Sequence, residues 1–220
     1  MALSSVLGLA EYVPTGELRA RSWCLETHLH SNTSAYTEST NNMILTGRRI
    51  LTQNFVRSLL QPTHQQQPCG IDLTLRQISK WTSAATIDFS NTQRQAAKTS
   101  LLEFTTTAFS QEEGIKLEPG AYLVDFNESV RIPLNCMASV FPRSSLWRNG
   151  VGIVAGVVDA GYEGAMGAMM DVRNPEGVVL HKNAKVAQIV FCEMTESVKE
   201  GYKGVYQFAG ESVGRDGTAT

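Results

Sequence analysis

Cysteine and histidine are scarce in this chain, four of each in 220 residues, and neither falls into a pairing that makes a metal or redox site. Cys24, Cys69, Cys136 and Cys192 stand far apart without a C-x-x-C pair, which excludes a zinc knuckle or a disulfide framework and predicts reduced, mostly buried thiols. His28 and His30 are the nearest histidine pair and are too isolated for a ligand set. No apolar run approaches the ~18 residues of a membrane-spanning helix. The opening MALSSVLGLAEYVPTGE has no basic segment and meets Glu11 early, so an intracellular, cytoplasmic protein is expected. Charge of one sign is missing too: 19 Lys and Arg face 21 Asp and Glu, which gives no general attraction to nucleic acid or membrane. Neither G-x-x-x-x-G-K-[ST] nor G-x-G-x-x-G occurs, so any phosphate must be held by some other device.

What is present reads as one β domain with appendages. Residues 1–42 form an N-terminal extension and linker, with one helix expected at LGLAEYV before the polar run SNTSAYTESTNN. Thr46 is placed to cap a helix in which Ile50, Leu51, Phe55 and Leu59 recur at helical spacing, up to Pro62. Beyond Gly70 come short alternating or β-branched pieces: IDLTLRQI, AATIDF, LLEFTTTAF, AYLVDF, MASVFP, VGIVAGVV, AMGAMMDV, GVVLHK and KVAQIVFCEM. Gly, Pro and Asn punctuate them, which predicts an antiparallel sandwich or barrel over residues 43–208. Pro119–Gly120 and NPEG at 174–177 are expected to turn between strands. The tail, carrying Tyr202, Tyr206, Phe208 and Arg215, is a frayed end from residue 209 or an arm that orders over something aromatic or anionic.

Four stretches concentrate chemistry. PRSSLWRNG sets the planar cation of Arg143 beside the hydroxyls and backbone N–H groups of Ser144 and Ser145, a donor set that suits a phosphate oxyanion. The same residues also read as a serine-capped helix start whose arginine pairs with a surface acid. In GVVDAGYEG, Asp159 is a turn carboxylate, or a general base that orients a water and takes its proton as the water attacks phosphorus. Tyr162 offers a flat ring to a sugar or base, or packs as a hairpin aromatic, and the strand-end backbone at Gly156 is placed to bond a base edge. GIDLTL puts Asp72 at a strand start, and KVAQIVF puts Gln188 in an apolar strand, where its amide needs a ligand, a water or backbone as partner.

In this order, GIDLTL, PRSSL, AGVVDAGYEG and KVAQIVF resemble the ordered motifs of the deoxyuridine triphosphatase family and of its sister group, the dCTP deaminases. MILTGRRI, QQPCGIDLTL, LEPGAYLV, NPEG and YKGVYQ look like the archaeal-type branch, while residues 1–42 have no counterpart. The resemblance implies a distorted antiparallel β-barrel or jelly roll with one or two short helices near its N-terminus, assembled as a homotrimer with shared active sites. It also implies hydrolysis of dUTP to dUMP and pyrophosphate, with Mg²⁺ held mainly by substrate phosphates and waters. By matching motif, Asp159 activates the water, Tyr162 packs under the deoxyribose, Arg143, Ser144 and Ser145 contact phosphate, and Gln188 helps hold phosphate and water. Asp72 falls near the metal-bound triphosphate, reaching the ion through water, and Gln207, Phe208 and Arg215 are the tail's expected contacts.

A dCTP deaminase, alone or bifunctional, is the enzymatic alternative, and a non-catalytic nucleotide-binding barrel is another. The deaminase relatives carry a glutamate five residues past the turn's last glycine; here that residue is Met169, and Asp171 shares its face only if register is regular. A bulge in this strand is expected to absorb an excess of about two residues before NPEG. Zinc-dependent deaminases are excluded, because no H-x-E with P-C-x-x-C occurs. The expected activity is dUTP hydrolysis.

Overall fold

The computed structural model describes residues 43–107, 110–211 and 214; the LGLAEYV helix, the polar linker, Cys24, the His28/His30 pair and Arg215 lie outside the described residues. In chain order the elements are α1 (Gly47–Thr52), β1 (Val56–Arg57), α2 (Pro62–Gln65), β2 (Gln66–Gln67), β3 (Gly70–Trp81), β4 (Thr99–Leu102), β5 (Thr105–Thr107) and β6 (Ser110–Leu117). They continue with β7 (Gly120–Arg131), β8 (Cys136–Pro142), α3 (Ser144–Arg148), β9 (Val151–Val154), β10 (Val157–Val158), β11 (Glu163–Val172), β12 (Val178–His181) and β13 (Lys185–Glu193). The architecture is mainly antiparallel β, as the alternation predicts. No helix among the described residues is long and apolar enough to cross a membrane.

The large sheet runs β10-β8-β13-β3-β7-β11-β9, with β1 beside β7 and β2 and β4 beside β3. Its two end strands, β9 and β10, are joined by Ala155 and Gly156 alone. Seven flat strands would hold the ends roughly 29 Å apart, whereas the three Cα steps from Val154 to Val157 span at most about 11 Å. The sheet therefore curls back on itself as a half-barrel, and the β9–β10 link marks its seam. Alternation builds the interior: Met166, Ala168, Met170 and Val172 of β11 are buried, as are Val186, Ala187, Ile189 and Phe191 of β13 and Val124, Phe126 and Val130 of β7. Fully burying a side chain of the size of Phe191 contributes about 1.5–3 kcal/mol.

Several expectations are corrected. Thr46 does cap α1, its hydroxyl accepting from Arg49 N at 3.3 Å, but the helix stops at Thr52. Asn54 takes the left-handed conformation (φ 56°), and Val56 then pairs with Val130 of β7. Sheet pairing thus overrides the helical spacing, and Phe55 stacks on Phe191 across a 5.7 Å centroid separation. Pro62 opens α2 instead of ending α1, a position where its missing N–H costs nothing. AATIDF forms no strand; it belongs to a loop whose ladder is the single bridge Thr86–Gln95, leaving Ile87 and Phe89 exposed. SQEEGIKL, too polar to read as a strand, is β6, and it pairs with β5 and β12 in a separate three-stranded sheet. NPEG turns the chain as expected, with Gly177 N donating to Asn174 O at 2.9 Å, but it leads from one sheet to the other and closes no hairpin. Among the described cysteines only Cys136 is buried; Cys69 is exposed and Cys192 half-buried, all as free thiols.

One carboxylate belongs wholly to the fold. Opposite the irregularity between Ala165 and Gly167 of β11, the run 126–128 of β7 bulges and turns Glu128 inward, where it is 1 % exposed. The bulge expected to absorb an excess on β11 is not found there: at this irregularity the extra residues lie on β7. Glu128 accepts from Thr74 N (2.8 Å), Thr74 Oγ1 (2.6 Å) and Gln65 Nε2 (2.6 Å). Burial nevertheless pushes its carboxyl above the usual range.

Candidate active site

A cleft of about 330 Å³ opens at the seam, lined by Gly156, Val157, Asp159, Tyr162, Ala165 and Gly167 and faced by Tyr202, Tyr206 and Glu211 of the C-terminal segment. Its floor is the turn between β10 and β11. Tyr162 N donates to Asp159 O (3.1 Å), and Gly161 N and Ile132 N tie the turn to neighbouring backbone, at 3.0 Å to Ile132 O and 2.8 Å to Tyr162 O. Gly161 sits at φ 80°, and a Cβ there would lie 2.5 Å from Gly201 Cα, so conformation and contact both require glycine. Asp159 is exposed at the rim. The Tyr162 hydroxyl donates to Ala165 O (2.7 Å), which fixes the ring in the cleft, with Tyr202 edge-on at 5.5 Å and 82°.

The C-terminal segment is clamped onto this turn. Tyr202 N donates to Ala160 O (2.8 Å), Phe208 N to Glu163 O (2.7 Å), and Ala165 N to Ala209 O (2.8 Å). Gln207 closes the clamp: its Oε1 accepts from Glu163 N (3.0 Å) and its Nε2 donates to Gly161 O (2.9 Å). Both ends of the Gln207 amide thus hold backbone. Phe208, 74 % exposed, lines a separate hollow with Arg57, Ser129 and Gly210.

A second constellation lies where β3, β8 and β13 meet. Asp72 is 1 % exposed, yet it faces Arg143 Nε (3.3 Å, a charge contact without hydrogen-bond alignment), Lys185 Nζ (3.2 Å) and Gln67 Nε2 (2.9 Å). The arginine pairs with a buried acid, not a surface one. Pro142 ends β8 as expected, and Arg143 itself occupies the cap position of α3 with no side-chain capping bond, leaving Ser144 and Ser145 exposed. Gln188 is half-buried, on the opposite face of β13 from Ala187, Ile189 and Phe191, so its amide bears no full desolvation penalty; among the described residues its Nε2 donates to the Cys69 thiol, 3.7 Å away. Two cations and a neutral amide around one carboxylate make this corner a net cationic surface for an anion.

The structure therefore divides the predicted residues into two groups. Asp159, Tyr162 and Gly156 share the seam cleft, while Arg143, Ser144, Ser145, Gln188 and Asp72 do not line it. Val158 pairs with Ala138, so Asp159 stands level with Met137 of β8, and from there to Arg143 the strand covers about 20 Å. Lys185 escaped the sequence reading, and Tyr202 and Tyr206, read only as tail aromatics, are placed at the cleft by the structure. Lys185 opens the KVAQIVF strand and had no local signal, because its partner Asp72 lies 113 positions earlier.

Against known proteins, the family model described as dCTP deaminase-like matches residues 44–194. The chain belongs to the dCTP deaminase-like family. Within this family the chain is 43 % identical over 143 residues to a probable deoxyuridine 5'-triphosphate nucleotidohydrolase of Methanosarcina mazei, an overlap of 65 % of this chain and 81 % of that protein. It is 38 % identical over 155 residues to the deoxyuridine 5'-triphosphate nucleotidohydrolase of Methanocaldococcus jannaschii, covering 70 % and 94 %. Among solved structures, the 2'-deoxycytidine 5'-triphosphate deaminase from Agrobacterium tumefaciens superposes with a TM-score of 0.51 at 22 % identity, over 69 % of this chain and 48 % of that one, a likeness of fold.

The place at which the family's deaminases carry their glutamate is legible in β11. Buried residues alternate regularly from Met166 to Val172, so Met169 and Asp171 do share the half-exposed face. Asp171 is bound to Arg173 Nε at 2.6 Å and lines a different hollow, with Trp147 and Gly152. The β11 residues that line the seam cleft are Ala165, Met166 and Gly167. A protein-held divalent ion does not fit either: among the described residues no group of three or more His, Cys, Asp or Glu converges, and the Asp72 carboxylate already faces two cations.

Proposed function

We propose that this chain is a dUTP diphosphatase, with residues 43–208 as the catalytic unit. The observation that carries the reading is the seam cleft, where an exposed carboxylate, Asp159, stands beside a fixed aromatic ring, Tyr162, on a turn held from both sides, with no second acid on its β11 wall. Asp159 serves as general base: it orients a water, takes its proton as the oxygen bonds to the α-phosphorus, and pyrophosphate departs with the electrons of the broken P–O bond. Tyr162 packs under the deoxyribose and the Gly156 backbone meets the base edge. Arg143, Ser144 and Ser145 receive phosphate oxygens, Gln188 helps hold phosphate and water, and Lys185 adds charge to that surface. A Mg²⁺ ion, where one takes part, would arrive on the triphosphate with its waters.

The ~20 Å between Asp159 and Arg143 supports a homotrimer in which the cleft of one copy receives its phosphate-binding residues from another. The archaeal relatives are named for this activity, which supports the reading. Pyrophosphate release from dUTP measured beside ammonia release from dCTP tests the reading: pyrophosphate without ammonia is expected, and ammonia without pyrophosphate refutes it. Asp159→Asn should keep the fold and nucleotide binding while losing at least ~10²-fold in turnover. Near-normal turnover in that variant removes Asp159 from the mechanism.

A further inference from the structure

We propose that Arg94, on the loop between β3 and β4, is a positioning residue for nucleotide binding: it holds the Tyr206 ring in place as the outer wall of the seam cleft. The inference rests on reading that cleft as a nucleotide site. None of the motifs in the sequence reaches this loop, and residues 82–98 would otherwise be a solvent-exposed connection. They are braced internally, however. Thr86 and Gln95 exchange backbone hydrogen bonds at 2.9 and 3.0 Å, Thr82 N donates to Lys98 O at 2.8 Å, and Lys98 N donates to Ser83 Oγ at 2.9 Å. Asp88 gathers the hydroxyls of Ser90 (2.8 Å) and Thr92 (3.3 Å) at the tip. A loop held this way has a fixed shape without a core of its own.

That shape meets the C-terminal segment at two points. Arg94 Cζ lies 5.8 Å from the centroid of the Tyr206 ring, which lines the cleft. Two residues further, Ala96 stands so close to Gly214 that a Cβ on the glycine would come within 2.8 Å of the alanine Cβ. Glu211, between Tyr206 and Gly214, also lines the cleft. Arg94 Nε and Nη2 are buried with no hydrogen-bond acceptor among the described residues. Two guanidinium nitrogens withdrawn from water without an acceptor cost free energy even in a half-buried side chain, and the compensating contact on view is the aromatic face. The clamp formed by Gln207, Phe208 and Ala209 fixes the backbone of this segment. Arg94 stands against the Tyr206 side chain.

Arg94 does not itself line the cleft, so it acts through Tyr206, and its effect falls on nucleoside affinity more than on the chemical step. The test uses the full chain as wild type, Arg94→Met, Arg94→Lys, Tyr206→Ala and the Arg94→Met/Tyr206→Ala double variant. KM and kcat for dUTP, calorimetric Kd for dUMP and for dCTP, inhibition by pyrophosphate and the thermal midpoint are read for each. Arg94→Met, which keeps length and loses the cation, should raise KM for dUTP and Kd for dUMP about three- to tenfold, with the change in KM exceeding that in kcat and with pyrophosphate inhibition and thermal midpoint as in wild type. Arg94→Lys should recover most of the affinity, and the double variant should bind no worse than Tyr206→Ala. Wild-type KM and Kd in Arg94→Met, equal losses in Arg94→Lys and Arg94→Met, or additive losses in the double variant overturn the proposal. If wild type releases no pyrophosphate from dUTP, the dUTP reading fails on its own, and Arg94 is judged by the Kd of whichever nucleotide binds. If neither nucleotide binds wild type, both fail.

Discussion

Replacing Gly161 with alanine should detach the C-terminal segment from the turn that carries Asp159. Gly161 occupies φ 80°, where an L residue is strained by roughly 1–2 kcal/mol. The new methyl would also lie 2.5 Å from Gly201 Cα and 3.1 Å from Tyr202 N, contacts with backbone that no rotamer change relieves. Relief comes from moving residues 201–209 outward, which loosens the bond from Tyr202 N to Ala160 O and the Gln207 clamp. Losing two such bonds at ~1 kcal/mol each brings the total to about 3 kcal/mol. The barrel core is not touched, so the loss should appear as local opening: protease cleavage within 200–210 about 10²-fold faster, with pyrophosphate release from dUTP down at least ~10-fold as Tyr202 and Tyr206 leave the cleft. Gly201→Ala carries the steric part alone, since a Cβ there meets Gly161 Cα at 2.7 Å and its φ is not left-handed, so it should cost less than Gly161→Ala by about the strain contribution. Wild-type protease resistance and turnover in Gly161→Ala would refute the coupling of turn and tail.

Three further outcomes are expected. Tyr162→Ala should narrow the dUTP-to-UTP rate ratio by ~10-fold, because the ring that packs under the sugar is gone; an unchanged ratio assigns discrimination elsewhere. Lys185→Met leaves buried Asp72 with Arg143 as its remaining cation, and with Lys185 a third exposed the loss in urea unfolding should be about 1–2 kcal/mol; no loss would mean that the pair contributes nothing to folding. Glu128 is held above its ordinary value of 4.5 by burial, so the folded chain keeps this proton to higher pH than the unfolded chain does. Its contribution is therefore full below about 4.5 and declines as pH rises through the folded value, so wild type should lose stability relative to Glu128→Gln between acidic and neutral pH. A pH-independent difference between the two would contradict the sign.

Much of this molecule is written locally. Period-two alternation in AMGAMMDV and, past the irregularity at Val186, in AQIVF fixes which side chains of β11 and β13 face the core, since a strand has only two faces. The cap at Thr46, the turns at Pro119–Gly120 and NPEG, and the carboxylate–aromatic turn at Asp159 and Tyr162 each depend on a few adjacent residues, and each was legible without tertiary contacts. The motif order was enough to identify the family.

Non-local pairing decided the rest. Ile50, Leu51, Phe55 and Leu59 promise a longer helix, but Val56 finds a ladder partner in Val130, and a backbone cannot be in helix and sheet at once. β6 is polar and became a strand because β12, from far along the chain, lies beside it. Asp72 reads as a lone strand-start acid until the sheet brings Arg143 and Lys185 to it, and Coulomb attraction depends on distance in space, not in sequence. The same holds for the cleft: the sequence by itself determined the turn that carries Asp159 and Tyr162, while only the curled sheet and the clamped tail decided that Tyr202 and Tyr206 stand around it, with Arg94 behind Tyr206.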